Sequence, residues 1–234
     1  MHNEHPIVSR EEWQKARLEL LARERELTHL RDRLSEQRRA LPWVRVEKDY
    51  VFDGADGPKS FEQLFDGRSQ LVIYHFMFQP EAETPCKSCS FWADTFNGIV
   101  PHLAARDVAF CAVSRAPAKK LQAFEERMGW TFPWYSSGAT SFNYDFAVSF
   151  TPEQVKQPDA LYNFGTYKEA GVDMPGASAF TRDERGSIFH TYSTYGRGID
   201  ALNGAYQYID LTPNGRAEAG LPDPMSWVRY HDEY

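Results

Sequence analysis

The most apolar run in the chain is LVIYHFMF, residues 71–78, and it restricts the possible folds more than any other feature. A strand with one face in water alternates apolar and polar residues, whereas an unbroken apolar run is typical of a central strand covered on both faces. A second run of this kind, DVAFCAVS (107–114), follows a segment with helical periodicity (91–104). The order strand, helix, strand predicts two parallel strands joined by a right-handed crossover.

The composition allows one substantial core and argues against two classes of partner. The 234 residues are 42% apolar and 15% aromatic, which is enough for one domain with additions. A formal net charge of −7 lacks the basic character that nucleic-acid binding requires, and no run approaches the roughly 18 apolar residues of a membrane span. The first residues contain no apolar leader segment, so we expect a cytoplasmic protein without nucleic-acid or membrane partners.

Residues 1–42 are predicted to form a helical arm. Ser9 and Glu12 fit the capping box that opens a helix, no Gly or Pro follows up to Ala40, and Pro42 ends the helix. Such a helix would extend about 45 Å. One face carries an apolar residue at every seventh position, namely Trp13, Leu20, Leu27, Leu34 and Leu41. Two interpretations of this stripe are open, because it could pack against its own domain or form a homodimer.

Residues 43–211 are predicted to form the main domain, with an insertion of loops and short helices at about 136–176, and residues 212–234 a docked tail. The other predicted elements are a strand at 44–52, short helices at 60–67 and 118–129, a short strand at 132–135, a hairpin at 177–193 and a closing helix at 198–211. The closing helix is expected to bury four side chains, those of Ile199, Leu202, Tyr206 and Ile209.

Two cysteines lie two residues apart in TPCKSCS (84–90), just after the first buried strand. Thr84 is suited to cap a helix and Pro85 to occupy its first position, which would place Cys86 in the first turn. Unpaired N–H groups at a helix start favour a thiolate, and Lys87 would add a positive charge beside it.

This spacing favours redox chemistry, because in a reducing compartment a close cysteine pair is more often catalytic or metal-binding than a structural disulfide. We expect Cys86 to attack a substrate disulfide and the more buried Cys89 to resolve the mixed disulfide. Trp92 is predicted to lie in the core beneath this helix. The expected activity is thiol-disulfide exchange with protein or low-molecular-weight substrates, without a bound organic cofactor.

The order strand, Cys-x-x-Cys, helix, strand, late hairpin and final helix is the thioredoxin plan. Five segments more closely resemble the bacterial domain-of-unknown-function family 899: SREEWQKARLELLARERELTHLRDRL, RRALPWVRVEKDYVFDG, LVIYHFMF, PCKSCSFWAD and FHTYSTYGRGIDALNGAY. That family is thioredoxin-like and is usually labelled a predicted dithiol-disulfide oxidoreductase. The resemblance implies an α/β fold, a three-layer sandwich whose central mixed sheet has helices on both faces, preceded here by a long N-terminal helix.

The sequence departs from thioredoxin at two places. The usual Trp-Cys-Gly-Pro-Cys is absent. Thioredoxins also place a cis-proline opposite the cysteine pair, just before the late hairpin, where it keeps the backbone able to pair with an incoming substrate. Pro175 is the candidate for this position, and its cis state is a hypothesis.

A peroxiredoxin-like peroxidase is an alternative reading of the same segment. Peroxiredoxins carry P-x-x-x-T-x-x-C, which Pro80, Thr84 and Cys86 nearly reproduce. Cys86 comes one residue early, and Lys87 occupies the expected place of the cysteine.

A metal site is a second alternative, because two thiols with a histidine could hold zinc or copper. His190, on the second strand of the late hairpin, would complete a set with Cys86 and Cys89. His75 is more typical of a hydrogen-bonded core residue, and Cys111, within the second buried strand, of an inert small hydrophobe.

Two further hypotheses concern binding. Tyr195 and Arg197 resemble a substrate rim in which Arg197 engages an anionic group, although turn chemistry explains them equally well. Thioredoxin folds also serve as non-enzymatic interaction modules. In that case Cys86→Ser would leave the biological role intact.

Overall fold

The chain divides into two compact units, residues 1–42 and 43–234, in a computed structural model that describes residues 5–156, 162–167 and 171–234. In the described part of the first unit, the secondary structure is one helix, α1 (Arg10–Arg39). The predicted capping box is confirmed: the Ser9 hydroxyl accepts a hydrogen bond from the Glu12 backbone N–H, and the Glu12 carboxylate accepts one from the Ser9 N–H. These bonds satisfy N–H groups that a helix start leaves unpaired, and they lower the pKa of Glu12.

The second unit contains a sheet and helices. Its strands are β1 (Val44–Arg45), β2 (Val51–Gly54), β3 (Gly57–Ser60), β4 (Gln70–His75), β5 (Val108–Ser114), β6 (Trp134–Ser136), β7 (Gly176–Arg182) and β8 (Ile188–Tyr195). Its α-helices are α2 (Lys87–Ala93), α3 (Phe96–Ala104), α4 (Ala118–Met128), α5 (Phe142–Asp145), α6 (Pro152–Val155) and α7 (Gly204–Ile209). Short 3-10 segments are Glu62–Phe65, Tyr162–Gly165, Gly196–Leu202 and His231–Glu233. Within the described residues the sheet has the strand order β1-β8-β7-β4-β5-β6-β2-β3.

The two apolar runs form adjacent parallel strands at the centre of the sheet. β4 and β5 pair in register from Gln70 opposite Val108 to His75 opposite Val113. β7 pairs antiparallel with β4 and β8 antiparallel with β7. This order, β8-β7-β4-β5, with helices between β4 and β5 and a helix after the hairpin, is the thioredoxin plan. The predicted thioredoxin-like α/β fold with a mixed sheet is confirmed.

Helical segments cover both faces of the sheet, as predicted for a three-layer sandwich. On one face α2, α3, α4 and α7 pack over a core that contains Tyr74. On the other face the segment Glu62–Phe65 and α5 pack over a core that contains Ile73. Because side chains alternate along a strand, Tyr74 and His75 lie on opposite faces. The cysteine pair belongs to the Tyr74 face.

The single strand predicted at 44–52 is wrong, because it divides into β1 and β2 at distant positions in the sheet. β1 pairs with β8, whereas β2 pairs with β3 and β6. Between them the Lys48 ammonium lies 2.6 Å from the Asp145 carboxylate, which also accepts a hydrogen bond from the Tyr50 hydroxyl. These polar contacts hold the linking residues away from a continuous strand. The short helix predicted at 60–67 shrinks to Glu62–Phe65, because β3 extends to Ser60.

Two predicted helices are also divided. The segment 91–104 contributes to both α2 and α3, and at the break the Thr95 hydroxyl donates to the Trp92 carbonyl, a bond that competes with continued helix. The closing helix begins as a 3-10 segment and restarts at α7, where the Asn203 side chain caps the helix by accepting from the Tyr206 N–H. Ile199 and Tyr206 are buried as predicted, whereas Leu202 is exposed.

The predicted insertion contributes to the core as well as to the surface. Phe142, on α5, is fully buried and belongs to the core on the Ile73 face. Residues 157–161 and 168–170 of the insertion lie outside the described residues. In the tail, Val228 and Tyr230 are buried. No helix in the described part of the chain is long and apolar enough to cross a membrane.

Replacing Phe142 with alanine is expected to lower the free energy of unfolding by about 3–5 kcal/mol. The reason is that its ring packs against a cluster of aromatic rings, those of Tyr50, Phe52, Phe61, His75 and Phe146. Urea unfolding measures the change. The control is Tyr208→Ala, at a side chain that is 76% exposed, for which we expect less than about 0.5 kcal/mol. Equal losses in both variants would show that α5 is not part of the core.

Candidate active site

Cys86 caps the N-terminus of α2 with its sulfur. Its backbone is extended, and its Sγ accepts a hydrogen bond from the Cys89 N–H at 3.4 Å. The Cys86 N–H donates to the Met77 carbonyl at 3.0 Å, which attaches the cysteine to the chain that leaves β4. The prediction that Thr84 caps the helix and Pro85 begins it is therefore wrong, because the bond to Met77 holds residues 84 and 85 in the preceding loop.

The two sulfurs lie in different environments. Cys86 is half-buried and Cys89 fully buried, and both are thiols in the structure. A hydrogen bond from the Cys89 thiol, together with the N–H groups of Cys89 and Ser88, lowers the pKa of Cys86 to about 6. Burial and the neighbouring Cys86 sulfur raise the pKa of Cys89. At neutral pH these shifts favour a thiolate at Cys86 and a protonated thiol at Cys89, the states that the expected roles would require.

Tyr74 is a member of the site that the sequence prediction did not include. Its side chain is 1% exposed, and among the described residues its hydroxyl has no hydrogen-bond partner of good geometry. It still interacts electrostatically with Cys89, and this interaction lowers the pKa of Cys89 against the larger effect of burial. The signal in the sequence was a hydroxyl within an otherwise apolar run, a few residues before the cysteines.

Lys87 is directed to the C-terminal tail. Its ammonium lies 3.0 Å from the Glu233 carboxylate and 5.1 Å from the centre of the Tyr230 ring. The largest causes of the lowered pKa of Cys86 are hydrogen bonds from Cys89 and Ser88, and Lys87 is not among them.

Polar contacts hold the tail (residues 212–234) against the start of α2. The Tyr230 hydroxyl donates to the Pro85 carbonyl at 2.5 Å, and His231 Nδ1 lies 2.6 Å from the Asp94 carboxylate. Arg127 of α4 forms a two-pronged ion pair with Asp232, at 2.7 and 2.9 Å. The tail thus forms part of the wall around the cysteine pair.

Trp92 lies beneath α2, as predicted. Its side chain is buried, its Nε1 donates to the Ile199 carbonyl at 2.9 Å, and its ring packs edge-on against Tyr206. These contacts join α2 to the segment after the hairpin.

Pro175 directly precedes β7 and faces the cysteine pair across a cavity, but its predicted cis state is wrong, since the Met174–Pro175 peptide bond is trans. The backbone here is already bonded within the chain. The Met174 N–H donates to the Val148 carbonyl at 2.9 Å, and the Pro175 carbonyl accepts from the Tyr162 hydroxyl at 2.7 Å. The insertion that supplies Val148 and Tyr162 has no counterpart in the short thioredoxin pattern, so the sequence pattern gave no sign of these bonds.

A cavity of about 440 Å³ opens beside the two sulfurs. Its apolar wall includes Met77, Trp92, Met174, Ile199 and Met225. Its rim carries charged side chains, including Arg197, Asp200, Arg216 and Glu218. Such a space could hold a small molecule against the Cys86 sulfur.

Of the two predicted rim residues, the structure places one at the cavity. Arg197 lies at the rim, with its guanidinium 3.1 Å from the Asp200 carboxylate. The prediction that Tyr195 is a rim residue is wrong, because its side chain is buried and its hydroxyl donates to the Phe146 carbonyl at 2.9 Å.

The structure does not bring His190 to the cysteines, so this predicted ligand set is wrong. His190 Nε2 lies 2.7 Å from the Ser193 hydroxyl, and its ring packs against Phe146 and Phe180, on the face of the sheet opposite Tyr74. Among the described residues no three His, Cys, Asp or Glu side chains are placed to hold a metal ion.

His75 is confirmed as a hydrogen-bonded core residue and Cys111 as a buried one; the inertness of Cys111 stays a prediction. His75 is buried and hydrogen-bonded to the Ser178 hydroxyl at 2.7 Å, and burial lowers its pKa to about 3. Cys111 is buried within β5, and burial raises its pKa.

A family model described as "Bacterial protein of unknown function (DUF899)" matches residues 2–234. The chain belongs to this family. No curated protein matches the DUF899 chain.

Solved structures similar to the DUF899 chain include three bacterial proteins. Peroxidoxin BcpB from Mycobacterium tuberculosis has 15% identity and a TM-score of 0.46, over 72% of this chain and 97% of that one. A cysteine-to-serine variant of PrxQ from Xylella fastidiosa has 15% identity and a TM-score of 0.42, over 68% and 89%. A variant of peroxiredoxin Q from Xanthomonas campestris has 18% identity and a TM-score of 0.43, over 68% and 90%.

Removing the Cys89 thiol is expected to raise the pKa of Cys86 by about one unit, because that thiol makes the largest contribution to lowering it. In the wild type, alkylation of Cys86 by iodoacetamide should accelerate as the pH rises through about 6 and then level off, since the thiolate reacts and the thiol does not. Cys89→Ala should move this midpoint upward. Cys89→Ser, which keeps a hydroxyl donor, should move it less. Mass spectrometry of the Cys86 peptide gives the rates, and an unchanged midpoint in Cys89→Ala contradicts the assignment.

Proposed function

We propose that this DUF899 protein is a thiol-disulfide oxidoreductase in which Cys86 and Cys89 alternate between dithiol and disulfide. The observation that carries the proposal is the hydrogen-bonded cap formed by the Cys86 sulfur, beside a buried second thiol and open to a cavity. A half-buried thiolate and a protonated thiol three residues further along one helix are the two groups that such exchange needs.

The reaction requires two displacements. The Cys86 thiolate attacks one sulfur of a substrate disulfide, so a mixed disulfide forms and one substrate thiolate leaves. That thiolate takes the proton of Cys89. The Cys89 thiolate then attacks the Cys86 sulfur, closes the Cys86–Cys89 disulfide and releases the second substrate thiolate. Two electrons pass from the dithiol to the substrate, and a dithiol or two monothiols from solution would restore the starting state.

The geometry favours this reaction over the alternatives. A peroxidase of the P-x-x-x-T-x-x-C type would place the threonine hydroxyl beside the reactive cysteine, whereas Thr84 interacts with Tyr230 of the tail. A metal site formed by Cys86 and Cys89 would require further ligands. The predicted ligand His190 cannot supply one, because it lies on the other face of the sheet. A purely non-enzymatic role would give no reason for a lowered pKa at Cys86.

Trapping experiments with cysteine variants test the proposal. After reaction with 2-hydroxyethyl disulfide, Cys89→Ser should retain a mixed disulfide on Cys86, because its resolving thiol is absent. The wild type should end as the Cys86–Cys89 disulfide, and Cys86→Ser should form neither product. Cys111→Ala is the matched control and should behave as wild type. Oxidation of Cys89 in Cys86→Ser at the wild-type rate, measured by mass spectrometry, would refute the assigned roles.

Replacing Tyr74 with phenylalanine is expected to slow the second displacement by about tenfold. The Tyr74 hydroxyl favours the Cys89 thiolate, and a charge-assisted hydrogen bond that it would donate once this thiolate forms is worth roughly 1.5 kcal/mol. Rapid-quench mass spectrometry should show a longer-lived mixed disulfide, while the alkylation midpoint of Cys86 stays within about half a unit of wild type. An unchanged lifetime of the mixed disulfide would exclude Tyr74 from the reaction.

A further inference from the structure

We propose that the cavity beside Cys86 and Cys89 is a binding site for a small uncharged disulfide with apolar or aromatic groups, and that protein disulfides are excluded. This inference rests on the proposed function and names its substrate class. Three observations carry it: the bonding of the backbone opposite the cysteines, the apolar wall of the cavity and the charges at its rim.

The backbone that would bind an extended peptide is already paired within the chain. In the thioredoxin plan the residues before the proline of β7 remain able to pair with an incoming substrate. Here the Met174 N–H donates to the Val148 carbonyl and the Phe150 N–H donates to the Val172 carbonyl, each at 2.9 Å. Ser149 and Asp173, between these bonds, form an antiparallel bridge. The insertion therefore occupies the position of a substrate strand.

Buried side-chain contacts stabilise this pairing. The Ser149 hydroxyl donates to the Asp173 carboxylate at 2.6 Å, and the Arg115 guanidinium pairs with the same carboxylate at 2.8 Å. The Tyr162 hydroxyl donates to the Pro175 carbonyl and accepts from the Gly196 N–H, both at 2.7 Å. A protein substrate would have to break several buried hydrogen bonds to reach the backbone, which is costly because buried polar groups would lose their partners.

The cavity gives access to Cys86, and its wall is chemically suited to apolar groups. Three methionines line it, Met77, Met174 and Met225, together with Trp92. Thioether side chains adapt to irregular shapes and contact aromatic rings favourably. The buried Tyr74 side chain also lines the cavity.

The charges at the rim oppose an anionic ligand. The Arg216 guanidinium lies 2.9 Å from the Asp200 carboxylate and 2.8 Å from the Asp210 carboxylate, so its charge is already compensated. Glu218 accepts hydrogen bonds from the Tyr206 hydroxyl and the Trp227 indole. Arg197 also pairs with Asp200, at 3.1 Å. Among the described residues that line the cavity there are three carboxylates and two guanidinium groups, so these residues offer a disulfide with carboxylate groups, such as glutathione disulfide, no unpaired positive charge.

The reaction balances with named reactants. One aryl disulfide and the Cys86–Cys89 dithiol give two aryl thiols and the Cys86–Cys89 disulfide, through the mixed disulfide described above. The one proton of the starting pair, that of Cys89, ends on one aryl thiol, and the other aryl group leaves as a thiolate. A small dithiol in solution would reduce the protein again.

The first test measures the reaction rates of three disulfides with the protein and with a reference peptide of sequence TPCKSCS. Dividing the rate of the protein by that of the peptide corrects for the intrinsic reactivity of each disulfide. The probes are neutral 4,4′-dithiodipyridine, anionic glutathione disulfide and the protein insulin. With the neutral aromatic probe, the DUF899 protein should react at least about tenfold faster than the peptide. With the other two probes it should react no faster than the peptide. Equal ratios for the three probes, or a higher ratio for insulin, would overturn the proposal.

The second test changes the charge of the cavity wall at Met225, with Met225→Gln as the uncharged control of similar length. Met225→Lys should increase the rate with glutathione disulfide about threefold to fivefold over Met225→Gln at low salt, and decrease it with dithiodipyridine. Equal rates for the two variants with both probes would show that substrates do not enter the cavity. Circular dichroism and the alkylation midpoint of Cys86 confirm that each variant is folded.

Failure of this proposal and failure of the proposed function give different results. Diamide oxidises thiols without occupying a disulfide site of this shape. If diamide closes the Cys86–Cys89 disulfide but dithiodipyridine shows no preference, the oxidoreductase stands and the substrate class is wrong. If no Cys86–Cys89 disulfide forms with any oxidant, the proposed function itself fails.

A separate observation carries a second proposal, which concerns α1. We infer that α1 forms an antiparallel pair with α1 of a second copy of this chain. Within the described residues of α1 no side chain is buried, and the stripe predicted from the sequence is substantially exposed at Trp13, Leu20, Leu27, Leu30 and Leu34. A helix of this length with an apolar seam is typical of a coiled coil.

The polar residues of the seam favour the antiparallel arrangement. In the seven-residue pattern that starts at Trp13, the second seam position holds Ala16, Arg23, Leu30 and Gln37. A parallel pair would place Arg23 against the partner's Arg23. An antiparallel pair instead places Leu27 against the partner's Leu30, and Arg23 against the partner's Leu34, so the two guanidinium groups are far apart.

The flanking charges favour the same arrangement. In the antiparallel register Glu24 faces the partner's Arg31 and Glu26 the partner's Arg33, against one like-charge pair, Arg17 with the partner's Arg38. A parallel pair would have two like-charge pairs, Glu19 with the partner's Glu24 and Arg33 with the partner's Arg38. Its two opposite-charge pairs would be Glu12 with the partner's Arg17 and Glu26 with the partner's Arg31. Exposed pairs of this kind contribute little individually, but here they act together on the choice of orientation.

Sedimentation equilibrium tests the dimer. The wild type should be a dimer, and Leu27→Glu should weaken it at least about tenfold, because the charge would enter the seam. Leu18→Glu, on the opposite face of α1, is the control and should leave the dissociation constant unchanged. A monomeric wild type, or equal effects of the two variants, would refute the proposal.

A charge reversal tests the orientation. Glu24→Arg should weaken an antiparallel dimer about threefold, since it would oppose the partner's Arg31, but would strengthen a parallel dimer by pairing with the partner's Glu19. Asp32→Arg changes the net charge equally, away from the seam, and is the control. A tighter dimer in Glu24→Arg would overturn the antiparallel arrangement.

Discussion

The hydrogen bond from the Cys89 N–H to the Cys86 sulfur is the interaction on which the site depends. It makes a reactive sulfur the cap of α2, a position usually taken by a side-chain oxygen. The cap depends in turn on the parallel pair β4 and β5, because the chain leaving β4 is bonded to Cys86 through Met77. Sheet, loop and helix therefore fix one sulfur at a site where a thiolate is favoured.

Burial has the largest effect on the pKa of the second thiol, that of Cys89. Cys89 lies among apolar side chains on the Tyr74 face, and burial raises its pKa while the Tyr74 hydroxyl acts in the opposite direction. The tail contacts this region through Tyr230, which donates to the Pro85 carbonyl, and through Glu233, which pairs with Lys87. The two thiols therefore have pKa values shifted in opposite directions although they belong to the same helical turn.

The sequence predicted elements that depend on local patterns. β4, β5, α4 and the hairpin of β7 and β8 follow from apolar runs and turn residues, and the start of α1 follows from its capping box. The cysteine pair and Trp92 were also found from local sequence.

What could not be predicted depends on contacts between distant segments. Thr84 and Pro85 are good helix-start residues, yet the bond between Cys86 and Met77 moves the start of α2. Tyr195 and His190 were predicted near the site from their positions along the chain. What each side chain contacts depends instead on the face of the sheet to which it points.

The central claim is that Cys86 and Cys89 form one reversible redox pair. The most direct measurement is an equilibrium titration of the wild-type protein in dithiothreitol redox buffers, with alkylation of the remaining thiols and mass spectrometry of the peptides. The account predicts a single two-electron transition in which Cys86 and Cys89 are lost to alkylation together while Cys111 remains a thiol throughout. A pair that stays reduced in every buffer, or that joins another chain in place of closing on itself, would contradict it.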